Sequence, residues 1–71
     1  MKPGFPDLFL PIPIAKWHGL FIELKRIKGG VVSPEQKDWI AFLQEQGYGA
    51  VVCKGWLEAR NTLVDYLNYE S

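Results

Sequence analysis

Leu20-Phe21-Ile22-Glu23-Leu24-Lys25 alternates as a strand does, and the rest of the chain is best read outward from it. Side chains alternate across a strand, so Leu20, Ile22 and Leu24 share one face, and Phe21, Glu23 and Lys25 the other. Phe21 beside two charged residues suggests that this second face is partly covered rather than solvated. Upstream, Asp7-Leu8-Phe9-Leu10 reads as a strand start after a turn over the first six residues. Pro11 and Pro13 end it, because proline cannot donate to a sheet ladder. Gly29-Gly30 makes the turn after Lys25.

Downstream, Ser33 is placed as a helix N-cap, Pro34 at the first helical position and Gln36 at the third, a capping box. Trp39, Ile40 and Leu43 fall on one face of this helix, and Gly47 stops it. Tyr48 to Cys53 reads as a short buried strand. From Trp56 to about Tyr69 a second helix is expected, with Trp56, Ala59, Leu63, Tyr66 and Leu67 as its apolar stripe. The order strand-strand-helix-strand-helix gives an α/β (α+β) domain, a mixed sheet with helices against it. No repeat or linker divides residues 1–71, so one domain is expected.

Composition narrows the classes. The chain has 71 residues, 48% hydrophobic and 14% aromatic, as a globular chain does. Eight cations balance eight anions, so any pull on nucleic acid must come from local clustering. A domain this small buries only about 60% of the surface its unfolded chain exposes. Cys53 is the only cysteine and His18 the only histidine, which excludes an intrachain disulfide and a four-ligand zinc site. Oligomerisation is the remaining device, and a homodimer is expected. The unpaired cysteine fits a cytoplasmic setting. Pro3, Pro6, Pro11 and Pro13 break the apolar residues near the start, so no signal peptide or membrane span is read there.

The candidate chemistry lies where the first two strands meet. Antiparallel pairing brings Asp7 and Glu23 to one end of the sheet. Mg²⁺ accepts one or two carboxylates together with substrate phosphate, and the Leu24 carbonyl between Glu23 and Lys25 offers a third ligand. Lys25 projects on the face of Glu23, where its ammonium reaches a water and a phosphate. Each residue also has a plainer reading. Asp7 after a proline suits a turn, Glu23 and Lys25 suit a solvated strand face, and Gln36 is accounted for as a cap. Lys25, Arg26 and Lys28 form the densest basic cluster, with Lys16 and Lys54 as further candidates for phosphate contact. His18 reads as structural or surface rather than as a general base, Cys53 as a small core residue rather than a nucleophile, and the three tryptophans as core or dimer contacts rather than base-stacking platforms.

Gly4-Phe5-Pro6-Asp7-Leu8, His18-Gly19-Leu20-Phe21-Ile22-Glu23-Leu24-Lys25, Ser33-Pro34-Glu35-Gln36, Gly47-Tyr48 and Val52-Cys53-Lys54-Gly55 together resemble the virus-type replication-repair nuclease (VRR-NUC) domain of the PD-(D/E)XK superfamily. The resemblance covers nearly the whole chain in motif order. It implies a restriction-endonuclease-like core and a Mg²⁺- or Mn²⁺-dependent endodeoxyribonuclease. The residues matching Asp7 and Glu23 bind the metal, that matching Lys25 assists the water, and that matching Gln36 lies on the active face. It further implies DNA substrates such as Holliday junctions or other branched or duplex forms, a homodimer, a role in replication or repair, and the cytoplasm of a bacterial or phage-infected cell. Family members carry an N-terminal helix with a glutamate before the Pro-Asp motif, and this helix is expected to be absent here. That departure motivates the alternative of a catalytically impaired module that binds DNA structure or assembles without cutting.

Overall fold

The computed structural model describes residues 4–69. Its elements are β1 (Leu8–Leu10), β2 (Leu20–Lys25), α1 (Pro34–Glu45), β3 (Gly49–Lys54) and α2 (Trp56–Leu67). The sheet order is β1-β2-β3, with β1 antiparallel and β3 parallel to the central β2. A parallel neighbour needs a crossover, and α1 supplies it. Of the turn expected over the first six residues, positions 1–3 lie outside the described residues, while Gly4 does sit in a turn with φ +86°.

Both faces of β2 are covered, which explains why a strand carrying two charges is buried along its first four residues. On one face Leu20 and Ile22 pack with Cys53, Ala59 and Tyr66, so α2 closes that side. On the other, Phe21 packs with Leu43 and Ala50, joined by Phe5, Trp39, Ile40 and Tyr48, so α1 closes this one. The alternation read from the sequence therefore holds on both faces.

The capping box of α1 is complete. Ser33 Oγ accepts from the Gln36 N–H at 3.1 Å, and Gln36 Oε1 accepts from the Ser33 N–H at 2.9 Å. Gly47 follows the helix with φ +90°, a conformation that costs L side chains about 1–2 kcal/mol. The His18 ring packs against it: a β-carbon on Gly47 would lie 2.7 Å from His18 Cδ2. His18 N–H also donates to the Gly47 carbonyl at 2.8 Å, and the residue is exposed.

Four expectations need correction. Asp7 precedes β1 rather than opening it, because the ladder begins with the Leu8–Ile22 pair. Tyr48 lies just outside β3 and packs its ring edge-on against Phe21, and α2 ends at Leu67, before Tyr69. The stripe of α2 is also narrower than its periodicity implied. Ala59 and Tyr66 are buried and Leu63 is partly so, but Trp56 and Leu67 are exposed.

Candidate active site

Three aromatic rings hold Asp7 in place. Phe5, two residues before it, meets Phe21 edge-on at 5.6 Å and Trp39 at 4.9 Å. Phe9, two residues after it, stacks on Phe21 at 4.3 Å. Phe5 and Phe9 both meet Phe21, and Asp7 between them lies beside Glu23, so the segment presents all three to the side of β2 that carries Phe21, Glu23 and Lys25. Gly4 lets this segment reach α1: a β-carbon there would lie 2.8–2.9 Å from the backbone of Glu35 and Gln36. Sequence periodicity marked Asp7 but missed this clamp. The signal was the Phe-x-Asp-x-Phe spacing over residues 5–9.

Asp7 is one step beyond the Leu8–Ile22 pair that begins the ladder, which brings its carboxylate beside Glu23 and Leu24. Its Oδ2 accepts from the Leu24 N–H at 2.9 Å. In an extended strand a residue's N–H and C=O point the same way, so the Leu24 carbonyl faces the Asp7 side too.

Glu23 is only 3% exposed. Its Oε2 accepts from Gln36 Nε2 at 3.0 Å and lies 3.8 Å from Lys25 Nζ. Its Oε1 is buried without a hydrogen-bond partner among the described residues. Burial, then the neighbouring Asp7 carboxylate, push the Glu23 carboxyl above its ordinary pKa, and Lys25 pulls the other way. A buried carboxylate with an orphaned oxygen beside a second acid is costly to a fold. A hard divalent cation relieves that cost, since it takes oxygen ligands from one or two carboxylates, a carbonyl and waters. Asp7, Glu23 and Leu24 O fit this donor set. No group of three or more His, Cys, Asp or Glu side chains gathers anywhere among the described residues.

Gln36 thus does two things at once: its amide oxygen completes the helix cap, and its nitrogen holds Glu23. The two readings of this residue are compatible. The first turn of α1 also brings the positive end of the helix dipole to the acid pair. Of the other cations, Lys54 pairs in register with Lys25, and parallel register sets both on one face of the sheet. Arg26 and Lys28 lie beyond the end of β2 and are exposed, so strand alternation does not constrain them. Lys16 is removed from the site: it sits before the start of β2, its ammonium 5.4 Å from the Trp17 ring centre. Cys53 is buried with Sγ 3.4 Å from Thr62 Oγ1, a core residue as expected. A groove of about 580 Å³ between Trp17, Tyr48, Tyr66 and Tyr69 lies at the start of β2 and β3, the opposite end from Glu23 and Lys25.

An acid pair and a lysine on neighbouring strands of a mixed sheet, with a glutamine reaching in from the crossover helix, define a restriction-endonuclease-like core. The chain belongs to the VRR-NUC domain family, whose model matches residues 1–56. Its fold is similar to that of a solved VRR_NUC domain protein, with a TM-score of 0.94 and 35% identity, covering 100% of this chain and 58% of that one. This chain therefore spans a little over half the length of that protein. No curated protein matches. Membership of the family implies a nuclease-type function. No helix among the described residues is long and apolar enough to cross a membrane.

Proposed function

We propose that this chain is the core of a Mg²⁺- or Mn²⁺-dependent endonuclease that hydrolyses DNA phosphodiester bonds, selective for branched structures in replication or repair. The observation that carries the reading is the convergence of Asp7 and the buried, half-satisfied Glu23 at one end of the sheet. Asp7, Glu23 and the Leu24 carbonyl are the metal ligands in this reading. A divalent ion bound there supplies Lewis acidity toward a phosphoryl oxygen and lowers the pKa of a water. Lys25 orients the attacking water and offsets charge developing on the phosphate. Gln36 fixes the rotamer of Glu23, and Phe5 and Phe9 fix Asp7. Lys54, Arg26 and Lys28 hold flanking phosphates, contacts that position a strand without reading its sequence. A symmetric homodimer would present two such sites to two strands of a four-way junction. The free, buried Cys53 suits a cytoplasmic protein.

The test is cleavage of junction, flap and duplex DNA with Mg²⁺ or Mn²⁺, beside sedimentation of the free protein. The wild type is expected to nick branched DNA, and Asp7→Ala, Glu23→Gln and Lys25→Ala each to lose at least about a hundredfold in rate, as when one electrostatic stabiliser is removed. Wild-type rates unchanged by Asp7→Ala would contradict the assignment. One observation favours a second reading, a module that binds DNA structure without cutting: only two acids meet at the site among the described residues. Tight junction binding with no metal-dependent cleavage would establish it.

A further inference from the structure

Trp56 is 64% exposed and Ile27 74% exposed, large apolar side chains that neither core explains. Gly55 lies between them. A β-carbon on Gly55 would lie 2.8 Å from Ile27 Cγ1, so the isoleucine covers the glycine that directly precedes Trp56. Gly55 has φ +84°, which frees the chain to turn from β3 into α2 at this point. Gly55 N–H donates to the Lys25 carbonyl at 2.8 Å, so the start of α2 lies at the same end of the sheet as the candidate active site, although α2 packs on the opposite face.

The surroundings indicate what covers the indole. Lys25, Arg26, Lys28 and Lys54 lie on the segments that meet at Gly55, and Arg60 is one turn along α2 from Trp56. Two acids accompany these cations: Glu58, whose carboxylate accepts from the Lys54 N–H at 3.2 Å, and the buried Glu23, whose Oε2 lies 3.8 Å from Lys25 Nζ. A twofold contact between copies centred here would set these cations against their own images, which opposes self-association through this patch. A phosphate backbone neutralises them. An aromatic ring beside a phosphate track stacks on any base whose face is free, whatever its identity, and an apolar neighbour can wedge against the next base.

We propose that Trp56 is a stacking platform for an unpaired base of the DNA strand whose phosphates Lys25 and its neighbours hold. The inference rests on the nuclease reading above and adds the feature selected: an unstacked base next to the bond that is cut. A fully paired duplex presents no free base face and gains nothing from Trp56.

The experiment uses metal-free protein in EDTA, so that binding is measured without cleavage. The probes are a flap DNA carrying 2-aminopurine at its first unpaired position and a paired duplex of equal length. Wild-type protein is expected to quench the 2-aminopurine. Trp56→Ala is expected to abolish the quenching and to weaken flap binding about tenfold while leaving duplex affinity unchanged, and Trp56→Phe to keep most of both signals. Circular dichroism of the variants checks the fold, and the aromatic replacement keeps the test decisive if alanine disturbs it. Persisting quenching in Trp56→Ala, equal weakening of flap and duplex, or conversion of a dimer to a monomer in sedimentation would each overturn the proposal. Cleavage with Mn²⁺ is measured in parallel. Trp56-dependent stacking without cleavage leaves the platform standing and removes the nuclease reading, whereas cleavage indifferent to Trp56 does the reverse.

Discussion

Replacing Gln36 with alanine separates its two jobs. Ser33→Ala removes one arm of the capping box, the acceptor 3.1 Å from the Gln36 N–H, and is expected to cost about 1 kcal/mol. Gln36→Ala removes the other arm, the 2.9 Å bond from the Ser33 N–H, for a similar cost of roughly 1 kcal/mol. It also removes the 3.0 Å bond to the buried Glu23 carboxylate, and a hydrogen bond to a charged group contributes about 1.5–3 kcal/mol. The total is roughly 2.5–4 kcal/mol, against about 1 for Ser33→Ala. In a domain of this size each kcal/mol moves Tm by about 4–8 °C, so the two variants separate clearly in thermal melts or urea titrations of metal-free protein at neutral pH. Adding Glu23→Gln to Gln36→Ala is expected to recover part of the loss, since the stranded charge is then gone, and the two substitutions should be non-additive. Gln36→Ala no more damaging than Ser33→Ala, or strictly additive with Glu23→Gln, would refute the idea that the crossover helix holds the catalytic acid.

Other outcomes follow from the same geometry. The folded state raises the Glu23 pKa, so it binds a proton more readily than the unfolded chain does. This group's contribution to stability is therefore greatest below the ordinary carboxylate range, declines as pH rises through the raised value, and is flat above it. The difference between wild-type and Glu23→Gln urea midpoints from pH 4 to 8 should show that decline, and a difference that moves the opposite way contradicts the sign. Phe21→Ala, which removes the ring that Phe5 and Phe9 both meet, is expected to cost about 3–5 kcal/mol. The milder Phe21→Leu should fold yet lose much of any Mn²⁺-induced rise in Tm, because Asp7 is no longer clamped. An unchanged rise would show that the rings do not position it. Gly47→Ala combines a left-handed backbone with contact against His18 and should lower stability by at least about 1–2 kcal/mol. His18→Ala in that background should recover only the contact part, as urea titration of both variants can show.

Much of this was legible in the sequence, for physical reasons. The alternation at 20–25 works because both faces of β2 are packed, and the Ser33-Pro34-Glu35-Gln36 motif works because capping is a local hydrogen-bond problem. The opposition of Asp7 and Glu23 followed from antiparallel pairing alone. Trp56 was misread because helical periodicity reports which residues share a face, not which of them the core covers. The aromatic clamp on Asp7 was missed because it depends on three segments far apart in sequence. Gln36 was ambiguous between cap and site for a good reason: one side chain has both a donor and an acceptor, and the fold uses each.

The central claim is that Asp7, Glu23 and the Leu24 carbonyl converge on one hard cation. Anomalous diffraction from crystals grown with Mn²⁺, collected on the high-energy side of the manganese edge, tests it most directly. A single strong peak within coordination distance of a carboxylate oxygen of each acid, and absent from Asp7→Asn crystals, is the expected result. Crystals with no peak at this end of the sheet, or with Glu23 Oε1 turned away from Asp7 in the presence of the ion, would contradict the account.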